Sequence, residues 1–388
     1  MKILEITSRY PPAIGGVETD VHATTSLLSS RGHSVEVWTS DLVRTNPLER
    51  WRVEFETINR TRVWRMRSFA PLHATGVSYA ITPGFFLNRP RQYESFDIVH
   101  THGYAFFANI SQCLLRPSRR ALPPLILSPH SGTGTGQVRL FYDRVVGTRI
   151  VRHLAHVICQ TSTERRRFED LGVPASRISV IPPGPGVPAC PIEAIPDVQQ
   201  QLLGRRYVLS LGRLAPNKGL SVLVKAMVPL LKRDIGLRLV IAGEDHGEAR
   251  NILSLVHQLR LDGSVILTGR LSDGQANGLL QNCDVFAFPS TGGEAFGISL
   301  LSAMQAARAV VATQLPGAMD LIRSGENGVI VRAAEPLALR SAISNLLEDS
   351  ELALELGNQA RDDTALLTWE RASLKTAEVL ERVAGYSK

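Results

Sequence analysis

The sequence predicts an α/β fold with two Rossmann-like, doubly wound domains. A chain of 388 residues is too long for one ordinary core, and short apolar runs alternate with amphipathic segments throughout both halves. Between the halves, residues 181–196 hold six prolines and cannot continue a regular element. We therefore expect domains at 1–183 and 184–367 that face one cleft, with ligands at the carboxyl ends of the strands.

The first half begins with a strand at 2–8, a glycine turn, a helix at 17–30 and a strand at 33–39, which together form a βαβ unit. Further strands are predicted at 63–66, 97–102, 125–130, 155–161 and 178–182, with helices near 75–88, 104–115, 138–153 and 162–171. The second half repeats this rhythm, with strands at 207–211, 238–243, 265–268, 284–288, 309–312 and 327–331. Its helices are predicted at 218–232, 248–261, 274–282, 335–347, 350–363 and 368–384.

Composition excludes several classes of protein. A hydrophobic content of 44% with 20% charged residues is that of a folded globular chain, and no run approaches ~18 apolar residues. The N-terminus resembles a first strand and not a signal peptide. The four cysteines lack zinc-site spacing, which favours reduced thiols in the cytoplasm. We also find no carboxylate cluster that predicts a divalent metal site.

Positive charge is concentrated in the first half. The formal charge of +7 divides into +9 for residues 1–190 and −2 for the remainder. Such a surface attracts anionic lipid or nucleic acid, but no nucleic-acid recognition motif accompanies it. The basic and apolar stretch at 60–67 could contact anionic lipid, or it could be an edge strand with a solvated face.

Two loops of the second half carry the strongest chemical signals. After the strand at 284–288 a glycine-bearing turn leads to Glu294, and Phe296-Gly297 then opens a helix. Such an entrance offers unpaired N–H groups and partial positive charge to an anion. The loop at 212–219 places Arg213 and Lys218 before another helix, where two cations are unfavourable unless they bind an anion such as a diphosphate.

The first half contributes weaker signals. Gly15 and Gly16 follow the first strand, but they do not form G-x-G-x-x-G, so no nicotinamide or flavin cofactor is expected. His130 ends a strand before a small, glycine-rich loop. A single histidine at a strand end more often has a structural role, but the accompanying motifs favour a functional role for His130. His100 and His102 are expected on opposite faces of their strand, with His100 in packing.

These motifs resemble those of retaining glycosyltransferases of family 4, which have the GT-B architecture. The resemblance implies that Arg213 and Lys218 neutralise the donor diphosphate, and that Glu294 and His130 address the donor sugar. His102 would line the acceptor side, and the last helix would pack back onto the first domain. The implied donor-binding residues are Gly15, Gly16, Arg213, Lys218, Gly243, Glu244, Ser290, Glu294, Ala295, Phe296, Gly297, Ile298 and Ser302.

Ser302 is a departure from that family pattern. The family usually has a second glutamate here, which bonds the ribose of the donor. Serine is shorter and uncharged, and loss of a charged hydrogen bond costs about 1.5–3 kcal/mol. This substitution weakens the donor site without removing the diphosphate clamp.

The resemblance therefore implies a metal-independent enzyme that moves a hexose from a UDP-sugar or GDP-mannose to a hydroxyl of a glycan or lipid-linked acceptor. It would lie in the cytoplasm, with peripheral contact to anionic membrane. The alternative, raised by Ser302, is a catalytically degenerate subunit or sugar-binding partner protein on the same fold.

Overall fold

A computed structural model describes residues 1–13, 15–45, 48–70, 81–87, 93–106, 110, 113, 122–131 and 137–386. The chain divides into two compact units. The N-terminal unit comprises residues 1–184 together with 367–388, and the C-terminal unit comprises 185–366. The predicted helices near 75–88 and 104–115 lie mostly outside the described residues.

A mixed sheet organises the N-terminal unit. Its strand order is β10-β9-β8-β7-β1-β2-β6-β5, and all neighbours pair in parallel except β5 with β6. A separate hairpin joins β3 and β4. The strands are β1 (Lys2–Ile6), β2 (Ser34–Ser40), β3 (Leu42–Thr45), β4 (Leu48–Arg50), β5 (Phe55–Ile58), β6 (Thr61–Met66), β7 (Ile98–His102), β8 (Leu125–Ser128), β9 (His156–Cys159) and β10 (Ile178–Val180).

Among the described residues, helices connect successive strands of this unit along the chain. They are α1 (Gly16–Ser30), α2 (Gly84–Leu87), α3 (Gln137–Tyr142), α4 (Thr148–Val151) and α5 (Ser162–Asp170). A π-helical segment, Asp143–Gly147, connects α3 to α4, so the helix predicted at 138–153 is interrupted near its middle.

The C-terminal unit has a parallel sheet in the order β13-β12-β11-β14-β15-β16, the strand order of doubly wound folds. Its strands are β11 (Arg206–Leu211), β12 (Leu237–Ala242), β13 (Val265–Gly269), β14 (Val285–Phe288), β15 (Ala309–Thr313) and β16 (Val329–Val331). Its helices are α6 (Pro196–Leu202), α7 (Leu220–Arg233), α8 (Ala249–Gln258), α9 (Asp273–Asn282), α10 (Ile298–Gln305), α11 (Pro316–Leu321), α12 (Pro336–Glu348) and α13 (Ser350–Thr364).

The last helix, α14 (Trp369–Val383), belongs to the N-terminal unit. Its buried face presents Ala377 and Leu380 to a cluster that includes Ile3 of β1 and Leu28 of α1. Its N-cap Thr368 accepts a hydrogen bond from the Arg371 N–H, so the helix has a defined start. The final segment of the chain thereby completes the core of the unit that the first segment begins.

The stretch at 60–67 is not an edge strand. Its strand, β6, lies between β2 and β5, and β5 forms the edge of the sheet. Arg65 is buried and its guanidinium pairs with Glu56, whereas Arg62 is exposed. The sequence did not predict β3, β4 or β5, because these segments are only three or four residues long and show no clear apolar alternation.

All four cysteines are free thiols, and three of them are buried. Among the described residues, none of the helices combines the length and the apolar character needed to cross a bilayer.

Candidate active site

Two neighbouring loops of the C-terminal unit meet at the carboxyl ends of β11 and β14. The Thr291 N–H donates to the Asn217 carbonyl oxygen at 2.8 Å. In return the Asn217 side-chain amide donates to the Gly292 carbonyl oxygen at 3.0 Å. These two bonds fix the loops that carry the predicted cations and the predicted carboxylate.

Gly219 allows the two loops to approach this closely. It caps the N-terminus of α7 in the left-handed conformation, with φ of 64°, where L side chains are strained. A Cβ atom here would also overlap the Pro289 carbonyl oxygen. The glycine after Lys218 is therefore required both by the turn and by the contact between the loops.

The predicted charges come together across this contact. Lys218 Nζ forms an ion pair with Glu294 Oε1, and the Ser290 hydroxyl donates to the same oxygen at 3.1 Å. Both charged side chains are mostly shielded, with exposed fractions of 16% for Lys218 and 12% for Glu294. Arg213, on the same loop as Lys218, is exposed.

The helix entrance beyond Glu294 is built on a second left-handed glycine. Gly297 has φ of 98° and is the N-cap of α10, and within the described part of the chain no side chain caps this end. Phe296 is buried just before it, and Ala295 is half-buried. The first N–H groups of α10, beginning at Ile298, follow Glu294 by only four residues, and an uncapped helix entrance suits an anion.

The loop after β12 adjoins the same edge of the sheet. The Gly212 N–H donates to the Ala242 carbonyl oxygen at 2.9 Å, and the Leu214 N–H donates to that of Glu244 at 2.8 Å. This places Gly243 and Glu244 next to the Arg213 loop. The loops that carry the predicted residues Arg213, Lys218, Gly243, Glu244, Ser290 and Glu294 thus lie side by side at one edge of this sheet.

Ser302 lies one turn into α10 and is buried. Its hydroxyl donates to the Ile298 carbonyl oxygen at 2.9 Å and accepts from the Val187 N–H at 2.9 Å. The hydroxyl thus joins α10 to the segment before α6. Its one proton is already donated, so it could bond a ribose without losing a contact only by accepting at its second lone pair.

The remaining predicted residues belong to the N-terminal unit. Gly15 and Gly16 begin α1, and Glu18 in its first turn pairs with Arg9 at 2.8 Å. His130 follows β8 with φ of 45°, a left-handed conformation that is uncommon for a residue with a side chain. The predicted glycine-rich loop after it, residues 132–136, lies outside the described residues.

His130 is part of a buried chain of polar side chains. Its Nε2 lies 3.0 Å from His102 Nδ1, and His102 Nε2 lies 2.8 Å from Glu5 Oε2. His100 Nδ1 approaches the same Glu5 oxygen at 2.9 Å. The expectation of opposite faces for His100 and His102 is wrong, because residues two apart on a strand share a face.

The pKa values define the charges in this cluster. Burial raises the pKa of Glu5, but attraction and hydrogen bonds from His100 and His102 outweigh it and bring the pKa to about 2. Burial and His100 lower the pKa of His102 to about 4, although Glu5 opposes this. Burial and the neighbouring histidines hold the pKa of His130 well below 6.5. At neutral pH Glu5 is ionised and both of these histidines are neutral.

The sequence did not predict the roles of Glu5 and Asn217, nor those of Asp20 and Gln160 near His130. Asp20 Oδ2 lies 3.8 Å from His130 Nε2 and accepts a bond from the Gln160 amide at 3.3 Å. Burial and the charge of Glu5 raise the pKa of Asp20 to about 7. The available signal was Glu5 itself, a carboxylate inside an otherwise apolar strand, which requires a partner.

Comparisons with known proteins identify the family of the chain. Residues 192–363 match the family model "Glycosyl transferases group 1", and residues 15–184 match "Glycosyl transferase 4-like domain". The phosphatidyl-myo-inositol mannosyltransferase of Mycolicibacterium smegmatis is 27% identical over 75% of this chain and 72% of its own length. The GDP-mannose-dependent alpha-(1-6)-phosphatidylinositol monomannoside mannosyltransferase of Mycobacterium tuberculosis is 26% identical over 98% of both chains.

A solved structure shows the same fold. HepE from Anabaena, in complex with UDP-glucose, aligns with a TM-score of 0.77 at 20% identity, over 98% of this chain and 100% of the other. The prediction of two Rossmann-like α/β domains of the GT-B class is confirmed. The chain belongs to the glycosyl transferases group 1 family, glycosyltransferase family 4, and is a glycosyltransferase.

Proposed function

We propose that this enzyme transfers a hexose, with retention of configuration, from GDP-mannose or a UDP-sugar to a hydroxyl of a glycan or lipid-linked acceptor. The observation that carries the proposal is the Lys218–Glu294 pair, held at the uncapped entrance of α10. A cation, a carboxylate and free helix N–H groups in one place match a ligand with both phosphate and sugar hydroxyls.

Each group has a distinct role in the proposed reaction. Arg213, Lys218 and the N–H groups of Phe296, Gly297 and Ile298 hold the diphosphate and stabilise the charge that grows as it departs. Glu294 accepts hydrogen bonds from the sugar. His130 addresses the sugar from the N-terminal unit, and the acceptor hydroxyl attacks the face that the diphosphate leaves and gives its proton to the departing phosphate.

Two relatives support GDP-mannose as the first donor to test, because both are named as mannosyltransferases and one as GDP-mannose-dependent. The names of both relatives also include a phosphatidylinositol acceptor, which supports a lipid-linked acceptor here. HepE was solved with UDP-glucose, so UDP-sugars are also donors to test.

Replacement of Lys218 tests the diphosphate assignment. We expect Lys218→Ala to weaken GDP or UDP binding about 10- to 100-fold, because a charge-assisted contact is worth roughly 1.5–3 kcal/mol. The measurement is calorimetry with each nucleotide, followed by a donor screen for slow sugar-nucleotide hydrolysis. Lys225→Ala, an exposed lysine on the adjoining helix α7, is the matched control.

Undiminished binding in Lys218→Ala would overturn the diphosphate assignment. If the unaltered chain binds neither GDP nor UDP, the catalytic proposal fails and the non-catalytic alternative raised by Ser302 takes its place.

Peripheral membrane contact is part of the proposal. The region from β4 to β6 exposes Trp51, Val53 and Phe55 beside Arg52 and Arg62. Exposed aromatic and basic side chains together suit the surface of an anionic bilayer. Flotation with phosphatidylglycerol-containing vesicles should recover the protein at low salt and lose it at high salt. No flotation at low salt would reject membrane contact while leaving the donor assignment intact.

A further inference from the structure

We propose that Glu5 and His102 are positioning residues, which fix the tautomer and orientation of the His130 ring through a buried hydrogen-bond chain. The inference deepens the proposed function and rests on it, because it assumes that His130 addresses the donor sugar. Neither Glu5 nor His102 is proposed to touch a substrate.

The proton positions follow from the donor and acceptor properties of the groups. An ionised carboxylate can only accept, so His102 must donate its Nε2–H to Glu5 Oε2 across 2.8 Å. A neutral imidazole then has a bare Nδ1, which can only accept. His130 must therefore donate its Nε2–H to His102 Nδ1 across 3.0 Å. Its own Nδ1 remains an acceptor for a sugar hydroxyl.

The other groups around the chain are consistent with this assignment. His100 Nδ1 lies 2.9 Å from the same oxygen of Glu5 without the geometry of a hydrogen bond, and its Nε2 is hydrogen-bonded to the Ser128 hydroxyl at 2.9 Å. The Gln160 amide donates to Asp20 at 3.3 Å, and the Asp20 carboxylate lies 3.8 Å from His130 Nε2. At 3.8 Å from His130 Nε2, Asp20 lies beyond hydrogen-bond distance, whereas His102 Nδ1 lies at 3.0 Å and is the nearer acceptor for the His130 proton.

Three features argue that the chain orients His130 and does not merely fill the core. Glu5, His100 and His102 are each at most 2% exposed, and burying a charge is costly unless its partners are precisely arranged. The hydrogen-bond chain ends at His130, whose backbone is left-handed, a conformation that persists only where the surrounding structure enforces it. The pattern of carboxylate, imidazole and reactive group matches how other enzymes hold a histidine in one tautomer.

A double-mutant cycle provides the test. Glu5→Gln removes the charge that enforces donation by His102, and His102→Phe interrupts the chain with a ring of similar size. We expect each to lower kcat about 10- to 100-fold, the loss typical of an orienting partner, with nucleotide binding unchanged. Because both act through one path, the double variant should lose no more than either single variant. Ser128→Ala, which removes a hydroxyl that hydrogen-bonds His100, should retain full activity.

Histidine ¹⁵N NMR of the full chain gives a readout that does not depend on activity. We expect a protonated Nε2 and a bare Nδ1 at His130, identified by the signal missing from His130→Asn. A free imidazole already favours Nε2–H, so the decisive observation is the appearance of the Nδ1–H form in Glu5→Gln. The spectrum of the unaltered protein tests the proposal even if a variant fails to fold, because an Nδ1–H tautomer of His130 in that spectrum would overturn the proposal.

Two further outcomes would overturn it. Additive losses in the double variant would assign Glu5 and His102 independent structural roles. Stoichiometric divalent metal in the purified protein, lost in Glu5→Gln, would make Glu5, His100 and His102 a metal site, with Oε1 of Glu5 as a further ligand atom. If the unaltered enzyme binds no nucleotide, the proposed function fails, but the tautomer measurement still tests the chain.

Discussion

At the scale of single residues, Glu294 has two competing partners. In the structure its carboxylate pairs with Lys218 and accepts from Ser290, whereas in the proposed reaction it binds sugar hydroxyls. The ion pair is partly shielded, and a donor would replace it by giving the lysine a phosphate and the carboxylate a sugar. The pair therefore keeps both charges compensated before the donor arrives.

This double role separates sugar recognition from diphosphate recognition. Glu294→Ala should lower sugar transfer about 100-fold or more, because it removes contacts to the sugar that strengthen in the transition state. GDP or UDP should bind as well or better, since Lys218 then has no carboxylate competitor. Steady-state transfer assays and calorimetry with the nucleotide alone measure the two effects. A parallel loss of GDP and UDP binding would contradict the assignment of Glu294 to the sugar.

At the scale of elements, α14 shows how a segment distant in sequence completes a unit. Ala377 and Leu380 are fully buried against residues of β1 and α1. Local sequence predicts that this segment is helical, from Thr368 as N-cap and from its apolar spacing. Which sheet it covers is decided by tertiary packing, since many surfaces accept an amphipathic helix of this length.

Truncation of Leu380 tests the contribution of that packing. Leu380→Ala should destabilise the N-terminal unit by about 2–5 kcal/mol, the usual cost of a cavity at a buried leucine. Leu374→Ala, on the same helix but 38% exposed, should cost far less. Chemical denaturation followed by limited proteolysis would show which unit unfolds first, and equal effects of the two substitutions would contradict the packing argument.

The predicted alternation of strands and helices is largely present, because each buried strand carries an apolar run that local sequence reveals. The hairpin of β3 and β4 and the edge strand β5 were missed for the opposite reason. Each of these strands is only three or four residues long, which is too short for a recognisable apolar alternation, and their pairing depends on contacts with other strands.

At the scale of the whole molecule, buried neutral histidines link stability to pH. Burial lowers the pKa of His102 and His156 to about 4, and it holds the pKa of His130 well below its ordinary value. The unfolded chain binds these protons below about pH 6.5 while the folded chain does not, so stability falls as the pH decreases from 6.5 towards 4. Asp20, with its raised pKa, opposes this trend over part of the window.

His156 isolates one of these protons, because it bonds Ser179 at 2.9 Å and lies outside the Glu5 chain. His156→Gln should reduce the slope of unfolding free energy against pH between 6.5 and 4 by ~1.4 kcal/mol per pH unit. Urea denaturation at several pH values measures this slope. His257→Gln, at an exposed position, should leave the slope unchanged, and an unaltered slope in His156→Gln would refute the linkage.

The sequence alone determined the class of fold, the two glycine-bearing loops and the family, because these depend on local periodicity and on residues close together in the chain. Only the tertiary structure decided which side chains of the site become neighbours and hydrogen-bond partners. Parallel pairing of β1 with β7 sets Glu5 beside His100, 95 positions later, and folding assigns the Ser302 hydroxyl to Val187. Such contacts join segments far apart in sequence, and they depend on strand order and register, which no local pattern specifies.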